Sequence, residues 1–323
     1  MRFLLDAEQR AFADSLDAML TAADTLSVVR DWSRGDHGGG RALWSRIAKA
    51  GVFALAVPEA YEGMGPRPVE LAVGFIELGR HAVPGPLVET VAAAALLAEL
   101  ADPLPGGRLL PSLASGEMSA TLALDGAYAL DGDAATTRLV LSADALRLAP
   151  GHGPVRTSLD PARRLTPLSP GGELLSAAPP VAHALGWARL ATAAQALGVG
   201  LALLDRTVAY VKQRTQFGVP VGSFQAVKHR LADAKIALEF ARPLLFGAAL
   251  TMAPADVAAA KVTACEAAYA TARTALQLHG AIGYTAEYDL SLWLAKARAL
   301  RTAWGTPAEC RAEVLSGGDR RRW

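Results

Sequence analysis

The residues most suited to ligand chemistry lie around Arg214, in a predicted turn between two helices. A guanidinium donates paired hydrogen bonds to a pyrophosphate, and a helix N-terminus adds free N–H groups and a favourable dipole. Phe217 could cover the edge of a planar ring, Gly218 allows close backbone approach, and Gln225 begins the next helix. The pattern indicates a site for a phosphate-bearing cofactor. The alternatives are a surface ion pair for Arg214, a core position for Phe217 and a helix end at Gly218.

Three regions of the chain must position this turn. The first, residues 1–118, is predicted to be a helical domain. The glycines at 35 and 38–40 predict a flexible break between helices. The prolines at 84 and 86 predict the end of another helix, since proline lacks an amide donor. Apolar residues recur at helical spacing along the region: Phe12, Leu16, Leu20, Leu71, Phe75 and Leu78.

The second region, residues 119–175, is predicted to be a small β-domain. Short apolar runs at 121–124, 138–141 and 146–148 alternate with Gly, Asp and Pro, which is typical of strands joined by turns. The region is short, so we expect a reduced sheet.

The third region, residues 182–315, is predicted to be an antiparallel four-helix bundle. Apolar spacing predicts its helices: one at 190–208, one from Phe224 that is perturbed at Pro243, and two at 255–278 and 289–303. The fold class is therefore mainly α, with a helical domain, a small sheet and a bundle. Three alanines on the first bundle helix favour close helix packing, with space for a bulky ligand as the alternative: Ala188, Ala191 and Ala194.

Composition excludes several classes of protein. With 52% hydrophobic residues, 20% charged residues and a formal net charge of +1, the chain has no electrostatic footprint for nucleic acid. The most apolar stretch, residues 88–100, holds Glu89 and Glu99 and is too short to span a bilayer. The first ten residues lack the pattern of a signal peptide. We therefore expect a cytoplasmic protein that does not bind a membrane.

Cys265 and Cys310 are expected to be buried thiols. Neither a CxxC pair nor a histidine cluster accompanies them, so no metal site and no disulfide is predicted. The basic residues at 320–322 are expected to form a solvated tail, with a subunit contact as the alternative.

Three blocks resemble the acyl-CoA dehydrogenase family, and on them the chain is identified as a member of it. The strongest begins at Arg214 and runs Arg-Thr-Gln-Phe-Gly-Val-Pro-Val-Gly-Ser-Phe-Gln-Ala-Val-Lys-His-Arg-Leu-Ala-Asp. The others are Leu55-Ala-Val-Pro-Glu-Ala-Tyr-Glu-Gly-Met-Gly65, with Glu77-Leu-Gly-Arg80 after it, and Gln277-Leu-His-Gly-Ala-Ile-Gly-Tyr-Thr285. Their order and separations are similar to those of the family, and they cover most of the chain outside the middle region.

The resemblance implies FAD as cofactor, an acyl-CoA thioester as substrate and α,β-dehydrogenation as the reaction. In the family, the turn at Arg214 reaches across a dimer to FAD that the neighbouring subunit mainly holds. The cofactor contacts carried over are Arg214, Phe217, Gly218, Gln225, Gln277, Gly280 and Gly283. For Gly283 the alternative is again a helix end. The implied partners are a related subunit and an electron-transfer flavoprotein or similar acceptor, and no metal is implied.

The chain departs from the family where the catalytic base belongs. Family members commonly carry a glutamate after the last bundle helix, and ungapped counting from Gly283 places Trp304 there. Relatives with the base on the first bundle helix have it at the position of Ala188. Neither tryptophan nor alanine accepts a proton, so no catalytic residue is predicted. The middle region also lacks the Trp-Ile-Thr-type segment that lines the flavin in the family.

These departures favour the base-lacking subunit of a heteromeric enzyme. The resemblance extends to actinobacterial steroid-degrading members, which are built from two related but unequal chains. One alternative is a self-sufficient enzyme with a displaced base, for which the candidates are Glu239, Glu266, Glu287 and Asp289. The other alternative is a redox-inactive scaffold with the same fold.

Overall fold

The computed structural model describes residues 4–318 and confirms the predicted fold class. The α-helices among them are α1 (Ala7–Thr21), α2 (Thr25–Arg34), α3 (Gly38–Lys49), α4 (Pro68–Arg80), α5 (Leu87–Ala98), α6 (Leu104–Ala114), α7 (Val181–Gln213), α8 (Gln225–Thr251), α9 (Pro254–His279), α10 (Leu290–Leu300) and α11 (Pro307–Gly318). The strands are β1 (Ala120–Leu124), β2 (Ala129–Leu130), β3 (Thr137–Leu141), β4 (Leu146–Leu148), β5 (Leu165–Thr166), β6 (Glu173–Ser176), β7 (Thr215–Gln216) and β8 (Val219–Pro220). We retain 1–118, 119–175 and 182–315 as proposed domain boundaries. The predicted basic tail at 320–322 lies outside the described residues.

The N-terminal helices differ from the prediction at one point, the glycines at 38–40. A flexible break was expected there, but these glycines form the first turn of α3. A Cβ atom on Gly40 would lie 2.2 Å from Cε3 of Trp32, so glycine is what allows α2 and α3 to pack this closely. Gly35, with φ of +88°, does end α2, and the prolines at 84 and 86 lie between α4 and α5 as predicted.

The sheet region contains the three predicted strands and three further short ones. Its main sheet has the order β1-β3-β4-β6, in which β1 and β3 are parallel and the other pairs are antiparallel. β6, which begins at Glu173, was not among the predicted strands. Glu173 and Leu174 are exposed, so the segment shows no apolar pattern. The sheet is joined to α5 by the hydroxyl of Thr90, which donates to the carbonyl oxygen of Ala120 at 2.9 Å.

The bundle is built from α7 to α10, and α11 packs on α9. The helix predicted to be perturbed at Pro243 continues through it as α8 to Thr251. A proline removes one backbone hydrogen bond from a helix, and here Leu238 and Leu245 on either side of it are buried in the core. Packing on both sides therefore outweighs the local cost of the proline.

The helix α7 crosses α4 at a distance that only glycine permits. A Cβ on Gly79 would lie 2.1 Å from the carbonyl oxygen of Gln195, and one on Gly198 would lie 1.9 Å from that of Ile76. The three alanines of the sequence analysis are also wholly buried on α7, which agrees with close packing. Among the described residues, α7 is the one helix long and apolar enough to cross a membrane, and 89% of its apolar window is buried inside the protein.

Two ion pairs join the sheet region to the helices on either side of it. On α10, Lys296 Nζ lies 3.5 Å from Oδ2 of Asp160, and both side chains are almost completely buried. The same ammonium donates to the carbonyl oxygen of Val83 at 3.5 Å, so residues of all three regions meet at it. The second pair, Arg108 with Glu173, is half exposed.

Asp131 is another buried acidic group of the sheet region. Its Oδ1 accepts hydrogen bonds from Nε1 of Trp32 at 3.1 Å and from the backbone N–H of Arg164 at 3.3 Å. Its Oδ2 has no hydrogen-bond partner among residues 4–318. Burial away from water raises the pKa of Asp131 to about 7, because the ionised form loses its hydration.

We expect the free energy of unfolding to fall between about pH 5 and pH 8, by on the order of 2 kcal/mol from Asp131 alone. Below its folded pKa of about 7 the folded protein keeps a proton that the unfolded chain has already released. Rising pH therefore disfavours the folded state. Asp131→Asn keeps the acceptor for Trp32 and should flatten the dependence in urea titrations. Glu77, whose pKa burial also raises to about 7, will retain part of the slope. An unchanged slope in the variant would refute the assignment.

Candidate functional site

The turn predicted at Arg214 is a short β-hairpin that projects from the end of the bundle. β7 and β8 pair antiparallel, and the two residues between them, Phe217 and Gly218, have φ of +54° and +78°. Positive φ at both positions is typical of tight hairpin turns. Gly218 is therefore a turn residue and not a helix end. Phe217 is 93% exposed, so it is not a core residue either.

Arg214 and Gln225 lie at the two ends of this hairpin segment, where α7 ends and α8 begins. Both are exposed, and within residues 4–318 the guanidinium of Arg214 has no hydrogen bond and no ion pair. The N-cap of α8 is Phe224, whose side chain makes no capping hydrogen bond. Free guanidinium donors beside an uncapped helix N-terminus can bind a pyrophosphate presented from outside the chain.

The Gln277 block lies at the same end of the bundle as the hairpin. Tyr210 on α7 stacks on His279 at 4.2 Å between ring centroids and donates to its carbonyl oxygen at 3.3 Å. Arg230 on α8 donates to Oε1 of Gln277 at 2.6 Å. The two predicted sets of cofactor residues therefore lie at one end of the bundle, although the side-chain oxygen of Gln277 is already engaged within the chain.

The two glycines of this block have different structural roles. Gly280 is exposed and ends α9 with φ of +65°, and a Cβ there would meet no atom within 4 Å. Gly283 is buried, and a Cβ on it would lie 3.1 Å from Cβ of His279. Close packing therefore accounts for Gly283, whereas Gly280 leaves open space at the surface.

A cavity of about 470 Å³ lies where the sheet region, α5, α7 and the loop after α10 meet. Its wall includes Trp304, the residue that ungapped counting places at the family's usual base position. Apolar side chains from β1, β2, β5 and α7 line it: Leu122, Leu124, Leu130, Leu165 and Leu185. The charged residues in the wall are Glu89, Arg163, Arg189 and Glu309.

Trp304 contacts a buried acid that the sequence analysis did not identify as a site residue. Its indole Nε1 donates to Oε1 of Glu89 at 3.1 Å. Glu89 is 3% exposed, and its Oε2 has no hydrogen-bond partner in the described part of the chain. Burial raises the pKa of Glu89, because the carboxylate loses its hydration, while the indole donor opposes this effect. The available signal was an acid within the most apolar stretch of the sequence.

The loop that carries Trp304 is held in a strained conformation by basic residues. Trp304 has φ of +58°, which is unfavourable for a bulky side chain. Nε of Arg189 donates to its carbonyl oxygen at 3.0 Å. The wholly buried Lys261 donates to the carbonyl oxygens of Arg301 and Gly305. Strained backbone persists where the surroundings hold it in place, and it often marks functional sites.

None of the four candidate displaced bases is among the residues that line this cavity. Glu266 is paired with Arg301 at 2.6 Å, and Asp289 with Arg30 at 2.8 Å. Glu239 and Glu287 are exposed on the bundle surface. Ala188, which the sequence analysis predicts to occupy the alternative base position, is fully buried on α7.

A helical domain, a small sheet and a four-helix bundle, in this order, define the acyl-CoA dehydrogenase fold. Residues 6–117 match "Acyl-CoA dehydrogenase, N-terminal domain", and residues 180–314 match "Acyl-CoA dehydrogenase, C-terminal domain". "Acyl-CoA dehydrogenase IpdE2" of Mycobacterium tuberculosis is 34% identical over 308 residues, which cover 94% of each chain. The chain belongs to the acyl-CoA dehydrogenase family.

Two solved structures are similar over nearly the whole chain. A variant of the "Tcur3481-Tcur3483 steroid ACAD" has a TM-score of 0.82 and 26% identity, covering 97% of this chain and 99% of that one. The "ChsE4-ChsE5 complex from Mycobacterium tuberculosis" has a TM-score of 0.86 and covers all of both chains. At 23% identity, the second likeness supports the fold alone.

Proposed function

We propose that this chain is the base-lacking subunit of a heteromeric, FAD-dependent acyl-CoA dehydrogenase that acts on an acyl-CoA thioester. The observation that carries the proposal is Trp304. An indole in the position of the catalytic carboxylate cannot remove the α-proton, and its N–H is already donated to Glu89. The other family position holds Ala188, which offers no acid–base group.

The exposed hairpin supports a role in a cofactor site shared with a related subunit. Arg214 would hold the pyrophosphate of FAD, the first turn of α8 at Gln225 would add N–H donors, and Phe217 would cover an adjacent ring. Gly218 permits the turn, while Gln277, Gly280 and Gly283 would border the other end of the cofactor. Bound there, FAD would supply an acceptor for the hydride that leaves the β-carbon of the acyl group. The base would then belong to the partner.

Similarity to the Tcur3481-Tcur3483 steroid ACAD favours an acyl group of steroid origin. The paired name of the Tcur3481-Tcur3483 steroid ACAD supports assembly from two kinds of chain. We further propose that the assembled enzyme is cytoplasmic and passes its electrons to an electron-transfer flavoprotein or a similar acceptor.

Glu89 favours a second candidate function, a self-sufficient enzyme with a displaced base. It is a buried carboxyl in the wall of the cavity beside Trp304. This alternative requires the isolated chain to hold FAD, whereas the favoured proposal requires a partner.

Co-expression with related dehydrogenase chains, followed by size-exclusion chromatography read at the flavin band, tests the proposal. We expect this chain alone to elute without flavin and to co-elute with flavin when the correct partner is present. A yellow homodimer that oxidises acyl-CoA would contradict the proposal and would make Glu89→Gln the next variant. Stable co-elution without flavin would instead indicate a scaffold.

A further inference from the structure

The cavity beside Trp304 contains a guanidinium, that of Arg163, whose charge acts on the buried carboxyl groups of Glu89 and Asp131. Of the basic residues in its wall, Arg189 pairs with Glu313. The carboxylate of Glu309 accepts hydrogen bonds from the backbone N–H and the hydroxyl of Thr306, just before α11. Arg163 is half-buried, and its guanidinium has neither a hydrogen bond nor an ion pair among residues 4–318. Burial raises the pKa of both carboxyls, which favours their neutral forms, so the guanidinium can bind an anionic ligand.

Glu89 contributes a second polar group that lacks a partner. One carboxyl oxygen accepts from Trp304, while the other is buried without a hydrogen bond in the described chain. A buried polar atom without a hydrogen bond destabilises the folded protein, and a ligand that hydrogen-bonds to it would recover that loss. Burial favours the protonated carboxyl, and a protonated carboxyl can donate. Both polar groups therefore suit a ligand that accepts hydrogen bonds.

We propose that this cavity binds the carboxylate of a small organic acid with an apolar body. Arg163 donates N–H groups to the carboxylate, Glu89 adds an O–H donor, and Leu122, Leu130 and Leu185 surround the apolar body. The volume of about 470 Å³ falls within the range of roughly 300–1,000 Å³ that is common for small-molecule sites. The cavity contains none of the hairpin residues, so the inference does not rest on the proposed shared FAD site.

Calorimetric titration of the full chain, together with any subunit that co-purifies, tests the site with octanoate as probe. We expect one octanoate per copy of this chain, with a Kd of about 1 mM or tighter. 1-Octanol has the same apolar body without the anion and should bind at least about tenfold more weakly. If octanoate shows no saturable binding at concentrations up to roughly ten times the expected Kd, the proposal is overturned.

Two variants and two matched controls assign the contacts. Arg163→Gln and Glu89→Leu should each weaken octanoate binding at least about tenfold, because each removes a donor to a charged group. Arg156→Gln and Glu99→Gln remove exposed charges outside the cavity and should leave the affinity unchanged. If Arg163→Gln fails to fold, Glu89→Leu still decides the question. Undiminished binding in a folded cavity variant would refute the assignment.

Discussion

Replacing Lys296 with methionine is expected to lower the free energy of unfolding by about 3 to 5 kcal/mol, the largest effect predicted for a single substitution here. The ammonium and the Asp160 carboxylate lie 3.5 Å apart, and both side chains are almost completely inaccessible to water. Lys296→Met keeps the volume of the side chain but leaves the carboxylate buried without its counter-charge. The loss should appear as a shift of the urea unfolding midpoint without loss of helix content in the folded state.

The double variant Asp160→Asn with Lys296→Met provides the internal control. Removing both charges should restore part of the lost stability, because the penalty arises from a lone buried charge and not from lost packing. Arg108→Met is the matched exposed control, since the Arg108–Glu173 pair also joins the sheet region to a helix but is half exposed. Exposed pairs contribute little, so its midpoint should not move measurably. Additive losses in the double variant would contradict this account of the pair.

Arg214→Ala is expected to weaken flavin retention in the assembled complex by about 10- to 100-fold while leaving the fold intact. The range corresponds to losing charge-assisted hydrogen bonds worth about 1.5–3 kcal/mol to a phosphate group. The side chain is exposed and bonds to no described residue, so its removal leaves no buried group unpaired. Dilution of the complex, followed by measurement of free and bound flavin, gives the dissociation constant.

Lys212→Ala is a suitable control for Arg214→Ala. Lys212 is an exposed cation in the last turn of α7, two residues before Arg214. If net positive charge alone retained the flavin, both variants would release it equally. Release by Arg214→Ala alone would support specific pyrophosphate recognition. Unchanged flavin stoichiometry in Arg214→Ala would remove the main cofactor assignment.

Local patterns in the sequence determined the fold class and the approximate position of most helices. The apolar spacing in the bundle predicted α7 and α9, because a helix that packs on a core must repeat its apolar face. The same reasoning failed at the glycines of 38–40, where close contact with Trp32 places glycine inside a helix. It also missed β6, half of whose side chains are exposed. In both cases the deciding contact is made with another element, with α2 for Gly40 and with β4 for β6.

The candidate site was likewise predicted in part from the sequence and decided in part by the tertiary structure. The sequence by itself identified the Arg214 segment and the absence of a carboxylate at residues 188 and 304, because residue types and short spacings carry that information. Only the tertiary structure decided that Phe217 is exposed and that Glu89 faces Trp304. That last contact joins residues 215 positions apart, and its geometry depends on the packing of α5, the sheet and the loop after α10 together. A local pattern records which face of an element is buried, but not which distant group will meet it there.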